Sequence, residues 1–364
     1  MFRWSRGCVD LGVLSLNTNS ASPAEELEGL VLPGGWTVGP RITPSGGTGG
    51  AFSSHYRVSS AEGKEAFLKA LDVKALFANS TKNFIDTMKE HSVMYAFERD
   101  MLEKCRDMKR VVTSLATGEA TVPNSQYGPV PYFIFDLATG DVRSHLNGVA
   151  AHDEISWKLR SLHHIAVALG QLHRGFIAHQ DVKPSNILVF GKADSRIGDL
   201  GRVSERGVNC PFDDRPSAGD ATYAPPEIYY GYQPSEWHVR RFGVDVYLLG
   251  SMAVYFFTQL TMNSLLYQNM SPQLLPSVWR GGYEPALPYL QDAFVKALDQ
   301  FRIQIPSQEL ASSLRSVVSE MCNPDVHLRG SLPARRRGNS PLSMEIYISK
   351  FNMLAKRAEM KMFR

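Results

Sequence analysis

The residues whose types and spacing could do chemistry concentrate in one stretch: Ala178-His179-Gln180-Asp181-Val182-Lys183-Pro184-Ser185-Asn186-Ile187-Leu188. Thirteen residues past Asn186 comes Asp199, in Gly198-Asp199-Leu200-Gly201. A carboxylate such as Asp181 can accept or orient the proton of an attacking hydroxyl. Lys183, two positions on, can neutralise charge on a phosphoryl group in transit. The carboxamide oxygen of Asn186 and the carboxylate of Asp199 are hard donors that suit Mg2+, with Mn2+ as the alternative. Two strands joined by a short turn would bring these last two together. A lone Asp or Asn in a loop is most often a turn former. Asp181, Asn186 and Asp199 in combination have instead the make-up that phosphoryl transfer needs.

Elements that could position these groups are readable on both sides. In the front half, residues 38–42 read as a strand, followed by the glycine-rich turn Gly46-Gly47-Thr48-Gly49-Gly50. Residues 56–58 read as the return strand, 61–64 as a hairpin turn and 66–71 as a third strand carrying Lys69. Backbone amides at Gly46, Gly47, Gly49 and Gly50 can approach a phosphate closely. A strand follows the glycines, which argues against a dinucleotide-binding fingerprint, where a helix should follow. Residues 84–105 carry Phe84, Met88, Met94, Phe97, Met101 and Leu102 at helical spacing, and 131–135 form another apolar strand.

The back half reads as helical. Ile155, Leu159, Leu162, Ile165, Leu169 and Leu172 recur every three or four residues, which makes an amphipathic helix. Residues 244–257 are apolar on all sides, as a buried core helix would be. Residues 334–338 look like a linker, and Ser340-Pro341 like a helix start, with a stripe of Met344, Tyr347, Phe351, Leu354 and Ala358 beyond it. There is no internal repeat and no low-complexity tract.

The stretch around Asp181, Lys183, Asn186 and Asp199 resembles the catalytic loop and metal-binding loop of the eukaryotic-type protein kinase family. Downstream, Gly219-Asp220-Ala221-Thr222-Tyr223-Ala224-Pro225-Pro226-Glu227 resembles the end of the family's activation segment, with P-P-E for the usual A-P-E. Asp245 opens a segment similar to the large buried helix of the family's C-lobe, and Arg329 stands where an arginine pairs with the residue matched by Glu227.

The resemblance covers about residues 36–330. It implies an α+β, bilobal protein-kinase-like fold, with a β-rich N-lobe bearing one main helix and a mainly α-helical C-lobe. It also implies ATP as phosphoryl donor. Lys69 would hold the α- and β-phosphates and pair with a helix glutamate, either Glu98 or Glu90. Phe135 would guard the back of the adenine pocket, and the backbone around Asp136 and Ala138 would hydrogen-bond adenine. Asp181 and Lys183 would be catalytic, and Asn186 and Asp199 would hold the metal.

The chain departs from the family's pattern in places. Ser53 stands near a missing third glycine, and the step of 29 positions from Lys69 to Glu98 is longer than the family usually shows. Gln180 replaces the arginine that pairs with an activation-loop phosphate, so activity is not expected to depend on that switch, although Ser204, Ser217 and Thr222 are available hydroxyls. Asp220 stands where serine/threonine kinases carry a threonine, whereas Lys183 is the residue such kinases use. In the look of residues 219–229 and its compact ends, the chain resembles the eukaryotic-like serine/threonine kinases of bacteria, here lacking the arginine before Asp181. Two other readings stay open: a pseudokinase scaffold that binds ATP, and a small-molecule kinase of the aminoglycoside or choline type. The second generally lacks a segment like Pro225-Pro226-Glu227.

Bulk properties bound the rest. The 364 residues are 43% hydrophobic and 21% charged, a globular profile. Net charge is +3, but residues 331–364 hold eight Lys/Arg against two Glu, or +6, leaving −3 elsewhere. That asymmetry gives no reason to expect a nucleic-acid partner. Cys8, Cys105, Cys210 and Cys322 form no C-x-x-C pair, which fits a reduced, cytoplasmic compartment. No stretch has the roughly 20 apolar residues of a membrane span. Arg3 and Arg6 precede an apolar stretch over 8–16, but Asp10 interrupts it, so a signal peptide is not expected. The expected division is an N-terminal, mobile extension over 1–29, an N-lobe over 30–137, a C-lobe over 138–331 and a basic helical tail over 332–364. The protein substrate and oligomeric state are not legible.

Overall fold

The computed structural model describes residues 22–42, 53–78, 82–123, 128–148 and 153–363. The glycines at 46, 47, 49 and 50 lie outside the described residues, as does the extension up to residue 21.

The N-terminal lobe is one antiparallel sheet. Strands β1 (Val31–Leu32), β2 (Trp36–Ile42), β3 (Ser53–Ser59) and β4 (Glu65–Leu71) are followed by helices α1 (Val73–Ala78) and α2 (Phe84–Lys104), then by β5 (Ser114–Ala120) and β6 (Val130–Asp136). The spatial order is β1-β2-β3-β4-β6-β5. Period-two alternation sets the faces. Ala66, Leu68 and Ala70 of β4 are buried with Val38, Tyr56, Val58, Tyr132 and Ile134 in one core. Phe67, Lys69 and Leu71 point the other way.

Residues 22–29 also join this lobe. Ala24 and Leu27 are buried in the sheet core, and the Tyr56 hydroxyl donates to the Ala24 carbonyl at 2.8 Å. β5 was not anticipated from its weakly strand-forming sequence, SLATGEA. It is held by its pairing with β6, and Gly118 is needed there because a Cβ would come within 2.6 Å of the Tyr132 hydroxyl oxygen. α2 is capped by Asn83, whose side chain accepts from the Asp86 amide at 2.9 Å.

The C-terminal lobe is mainly helical. After β7 (Gly140–Asp141) and α3 (Val142–Leu146) comes α4 (Glu154–Arg174), the amphipathic helix read from the leucine and isoleucine spacing. Short strands β8 (Ile177–Ala178), β9 (Ile187–Phe190), β10 (Asp194–Ile197) and β11 (Ser204–Glu205) carry the loops of interest. Helices α5 (Pro226–Tyr229), α6 (Trp237–Thr258), α7 (Met262–Gln268), α8 (Tyr283–Ile303) and α9 (Gln308–Met321) complete the lobe. α6 is buried almost without interruption from Gly243 to Val254, as a helix apolar all round must be.

The C-terminal segment begins differently from the expectation. Of the residues 334–338 expected to form a linker, 334–336 fold as the end of α10 (Leu332–Arg336), and α11 (Met344–Glu359) starts after Ser343 rather than at Ser340-Pro341. The Pro341 carbonyl accepts instead from the Ser331 amide at 2.8 Å, which pins that stretch outside the helix. α11 lies along α4 with Tyr347, Phe351, Leu354 and Ala355 buried in the lobe's core. Its charges pair with the lobe: Arg160 Nε donates to Glu359 at 2.8 Å and Lys350 to Glu320 at 2.7 Å. The whole is a bilobal α+β fold. Among the described residues, no helix is long and apolar enough to cross a membrane.

Candidate active site

The cleft between the lobes collects the polar residues singled out above. Lys69 faces it from β4, and its Nζ lies 2.9 Å from Oε1 of Glu98 on α2. Glu90 is elsewhere, paired with Lys82 at 2.5 Å. Burial alone would depress the Lys69 ammonium, but the Glu98 and Asp199 carboxylates outweigh it and raise its pKa. Asp199 is likewise opposed by burial, yet the positive charges around it, Lys69 first and then Lys183 and Arg202, hold its carboxyl below the usual carboxylate range. A Cβ built on Gly201 would lie 3.3 Å from Glu98 Oε2 and 3.5 Å from Asp199 Oδ1, so both carboxylates border that residue.

The hairpin of β9 and β10 places Asn186 and Asp199 at its two open ends. Ile187 faces Ile197 in register, and the Gly198 amide donates to the Asn186 carbonyl at 2.8 Å. Asp199 has a left-handed backbone, φ 64°, an uncommon state for a residue with a side chain.

Asp181 is buried and held from three sides. Its Oδ1 accepts from the Asp220 amide at 2.7 Å, and its Oδ2 accepts from Asn186 Nδ2 at 3.1 Å. Lys183 Nζ sits between two carboxylates, 3.2 Å from Asp181 Oδ2 and 3.3 Å from Asp220 Oδ2. Asp220 thus reaches Lys183 with its side chain and Asp181 with its backbone. Because Asn186 Nδ2 also donates to the Asp181 carbonyl at 2.9 Å, its nitrogen is committed. Its Oδ1 keeps a 3.5 Å contact with the Ser185 hydroxyl. Asn186 and Asp199 therefore offer an oxygen pair that could hold Mg2+, a cation that usually keeps waters and phosphate oxygens as its other ligands.

A second set of residues fixes the loop. Asp245 on α6 is wholly buried and accepts from the His179 and Gln180 amides, each at 2.7 Å, and from His173 Nε2 at 2.8 Å. The His179 ring takes an amide hydrogen from Asp181 at Nδ1 (3.3 Å) and donates through Nε2 to the Gly198 carbonyl (3.1 Å), which assigns the neutral tautomer. It ties the Asp181 loop to the Asp199 loop. Gly219 packs so tightly on this loop that a Cβ would fall 2.1 Å from the Gln180 carbonyl oxygen. Arg329 and Glu227 form a buried two-pronged pair, 2.7 Å at each prong.

The roof of the cleft is aromatic. Phe67 shares the face of Lys69, stands opposite Phe135 on β6, and has its ring centroid 5.1 Å from that of His55. Burial, with Lys69 and Arg41 nearby, pushes the His55 pKa down to about 4, so the ring is neutral. Sequence reasoning missed the Phe67–His55 contact, although period-two alternation from Lys69 would have placed Phe67 in the cleft. Asp136 ends β6 with its carboxylate 2.8 Å from Lys64, and Ala138 follows in the linker, which is pinned by the Thr139 amide donating to Val189 at 2.8 Å. Of the hydroxyls considered for modification, Ser204 is buried and donates to Asp213 at 2.7 Å, while Thr222 is exposed.

The protein kinase domain family matches residues 49–337. A probable L-type lectin-domain containing receptor kinase of Arabidopsis thaliana is 28% identical over 46% of this chain and 26% of its own length. A mitosis inhibitor protein kinase of Schizosaccharomyces pombe is 28% identical over 48% of this chain and 26% of its own. An Aurora/IPL1-related protein kinase 2 of Caenorhabditis elegans is 31% identical over 26% of this chain and 28% of its own. The chain thus spans about a quarter of the length of each of these relatives.

Proposed function

From the premise that the chain belongs to the protein kinase domain family, we propose that it transfers the γ-phosphate of ATP to serine or threonine hydroxyls of a protein, itself included. The observation that carries this reading is the joining of Lys69, Glu98, Asp199, Asp181, Asn186 and Lys183 into one charge-coupled cleft. Lys69, kept charged by Glu98, would bind the α- and β-phosphates. Asp181 would orient the acceptor hydroxyl and receive its proton, its position set by Asn186 and the Asp220 amide. Lys183 would balance charge on the phosphoryl group as it moves. Asn186 and Asp199 would hold Mg2+, which supplies charge neutralisation between phosphate oxygens. The backbone at Asp136 and Ala138 would meet adenine, and the amides at Gly46, Gly47, Gly49 and Gly50 would cover the phosphates. If ordinary for the family, turnover is on the order of 1–100 per second.

Serine/threonine preference rests on Lys183, and a protein acceptor on the Pro225-Pro226-Glu227 segment, anchored by Arg329. The cytoplasm is the proposed compartment, because Cys105, Cys210 and Cys322 are buried and free. The test is to incubate the chain with Mg·ATP and a mixed protein substrate and to identify the phosphorylated amino acid. Phosphoserine and phosphothreonine are expected. Phosphotyrosine alone, or phosphorylation of small alcohols and no protein, would overturn the assignment.

One observation favours a second reading, a nucleotide-binding scaffold with little transfer activity. Phe67 is on the same face of β4 as Lys69 and stands opposite Phe135, where its ring would narrow the space for a base. Mg·ATP that shifts the melting temperature without any phosphate transfer would favour that reading.

A further inference from the structure

The loop between Asp199 and Pro225 must be ordered for a protein acceptor to reach Asp181, and here an ion pair between a buried Arg241 and a partly buried Asp213 ties its middle to α6. Asp213 accepts at Oδ1 from Arg241 Nη2 and from the Ser204 hydroxyl, each at 2.7 Å, and at Oδ2 from the Cys210 amide at 3.2 Å. Arg241, at the start of α6, is 5% exposed. Its Nη2 also donates to the Asp213 carbonyl at 3.1 Å, and its Nη1 to Gln180 Oε1 at 3.4 Å. Gln180 answers by donating Nε2 to the Arg241 carbonyl at 2.8 Å.

Gln180 is the residue before Asp181, and its backbone is held in the left-handed region, φ 67°, by this grip and by Asp245. A continuous path therefore runs from the middle of the loop, through one guanidinium, to the residue that precedes Asp181. Burial lowers the Arg241 pKa, and the Asp213 carboxylate opposes that loss. Without Asp213, the guanidinium would be a buried cation short of its partner, an expensive state.

We propose that Asp213 and Arg241 form a permanent lock that holds the loop and the Asp181 segment in their working arrangement without any added phosphate. Asp213 supplies the negative charge, Arg241 replaces the cation missing at position 180, and Gln180 relays their position. Asp213 is a positioning residue: it contacts Ser204, Cys210 and Arg241 and acts through Gln180. The functional half of this inference rests on the kinase reading, whereas the structural half does not.

The test uses the full chain stripped of phosphate by phosphatase treatment, with ADP release in the presence of dephosphorylated casein as one readout. Hydrogen–deuterium exchange over residues 203–220 is the other. Stripped wild type should remain active and exchange slowly. Asp213→Asn, which keeps shape and removes charge, should lose about 10- to 100-fold in kcat with KM for ATP little changed. It should also speed exchange over 203–220, and Asp213→Glu should recover part of both. If Asp213→Asn does not fold, Arg241→Lys, which keeps the cation and loses the fork, takes its place with the same expectation. Wild-type kcat and exchange in these variants would overturn the lock, as would a stripped wild type whose loop exchanges as fast as the variant's. A stripped wild type that neither binds Mg·ATP nor releases ADP would sink the kinase reading, and the exchange comparison would still decide the lock.

Discussion

The Lys69 ammonium lies 2.9 Å from the Glu98 carboxylate, joining the third long strand of the sheet to the long helix across 29 residues of sequence. Asp199 is the second carboxylate that keeps this lysine charged, so the ion pair and the proposed metal ligand are electrostatically one unit. Glu98→Gln should therefore leave the fold intact but weaken Mg·ATP binding. Lys69→Met should weaken it as much, and the double variant should add little, since the two act as a unit. Isothermal titration of the four proteins with Mg·ATP checks this. Full additivity of the two losses would contradict it.

Phe67 shares the Lys69 face of β4 and stands opposite Phe135, where its ring would narrow the roof over a bound base. Phe67→Ala should open it and tighten ATP binding several-fold, seen as a lower KM for ATP or a larger melting shift with Mg·ATP. Weaker binding in this variant would mean that the ring stacks on the base instead of crowding it.

Arg329 and Glu227 are both almost fully buried and joined at two prongs. Removing one partner strands the other's charge, so Arg329→Ala should lower stability by about 3–5 kcal/mol in denaturant titration. Replacing both by apolar residues of similar volume should be much less harmful. Equal losses in the single and double variants would show that shape, not charge, governs the site.

His164 is buried on α4, where its Nδ1 accepts from the Ser195 amide at 3.3 Å. Burial first, then the positive charge of Arg110, His163 and Arg160, pushes its pKa down to about 3. The unfolded chain, with an ordinary histidine near 6.5, takes up the proton first. Stability is thus fully present above pH 6.5 and is lost as pH falls from there toward 3. His164→Asn should flatten that decline in melting temperature between pH 6.5 and 4.5, whereas an unchanged slope would assign it to other groups, His55 among them.

The sequence was most informative where a few polar side chains sit at short, fixed separations. Asp181, Lys183 and Asn186 share one loop, and the pairing of Ile187–Phe190 with Asp194–Ile197 closes the hairpin that returns Asp199. Long separations were harder. Both Glu98 and Glu90 lie on α2, and it is the tertiary packing of α2 on the sheet that brings Glu98 to Lys69, while Glu90 pairs locally with Lys82. The Asp213–Arg241 pair left no local pattern, because an ion pair 28 residues apart is set by the burial of α6, not by periodicity. β5 was invisible because its pairing with β6 overrides a glycine-bearing sequence of low strand preference. The helix start at Ser340-Pro341 was misplaced because the Pro341 carbonyl serves the Ser331 amide instead.

The most direct test of the central claim is phosphate incorporation from γ-labelled Mg·ATP by wild type and by Asp199→Ala, with both shown to be folded by circular dichroism. The arrangement of Lys69, Asp181, Asn186 and Asp199 predicts labelled protein from the wild type and none above background from the variant. Equal labelling of the two would contradict the role given to Asp199 and, with it, the account of the cleft.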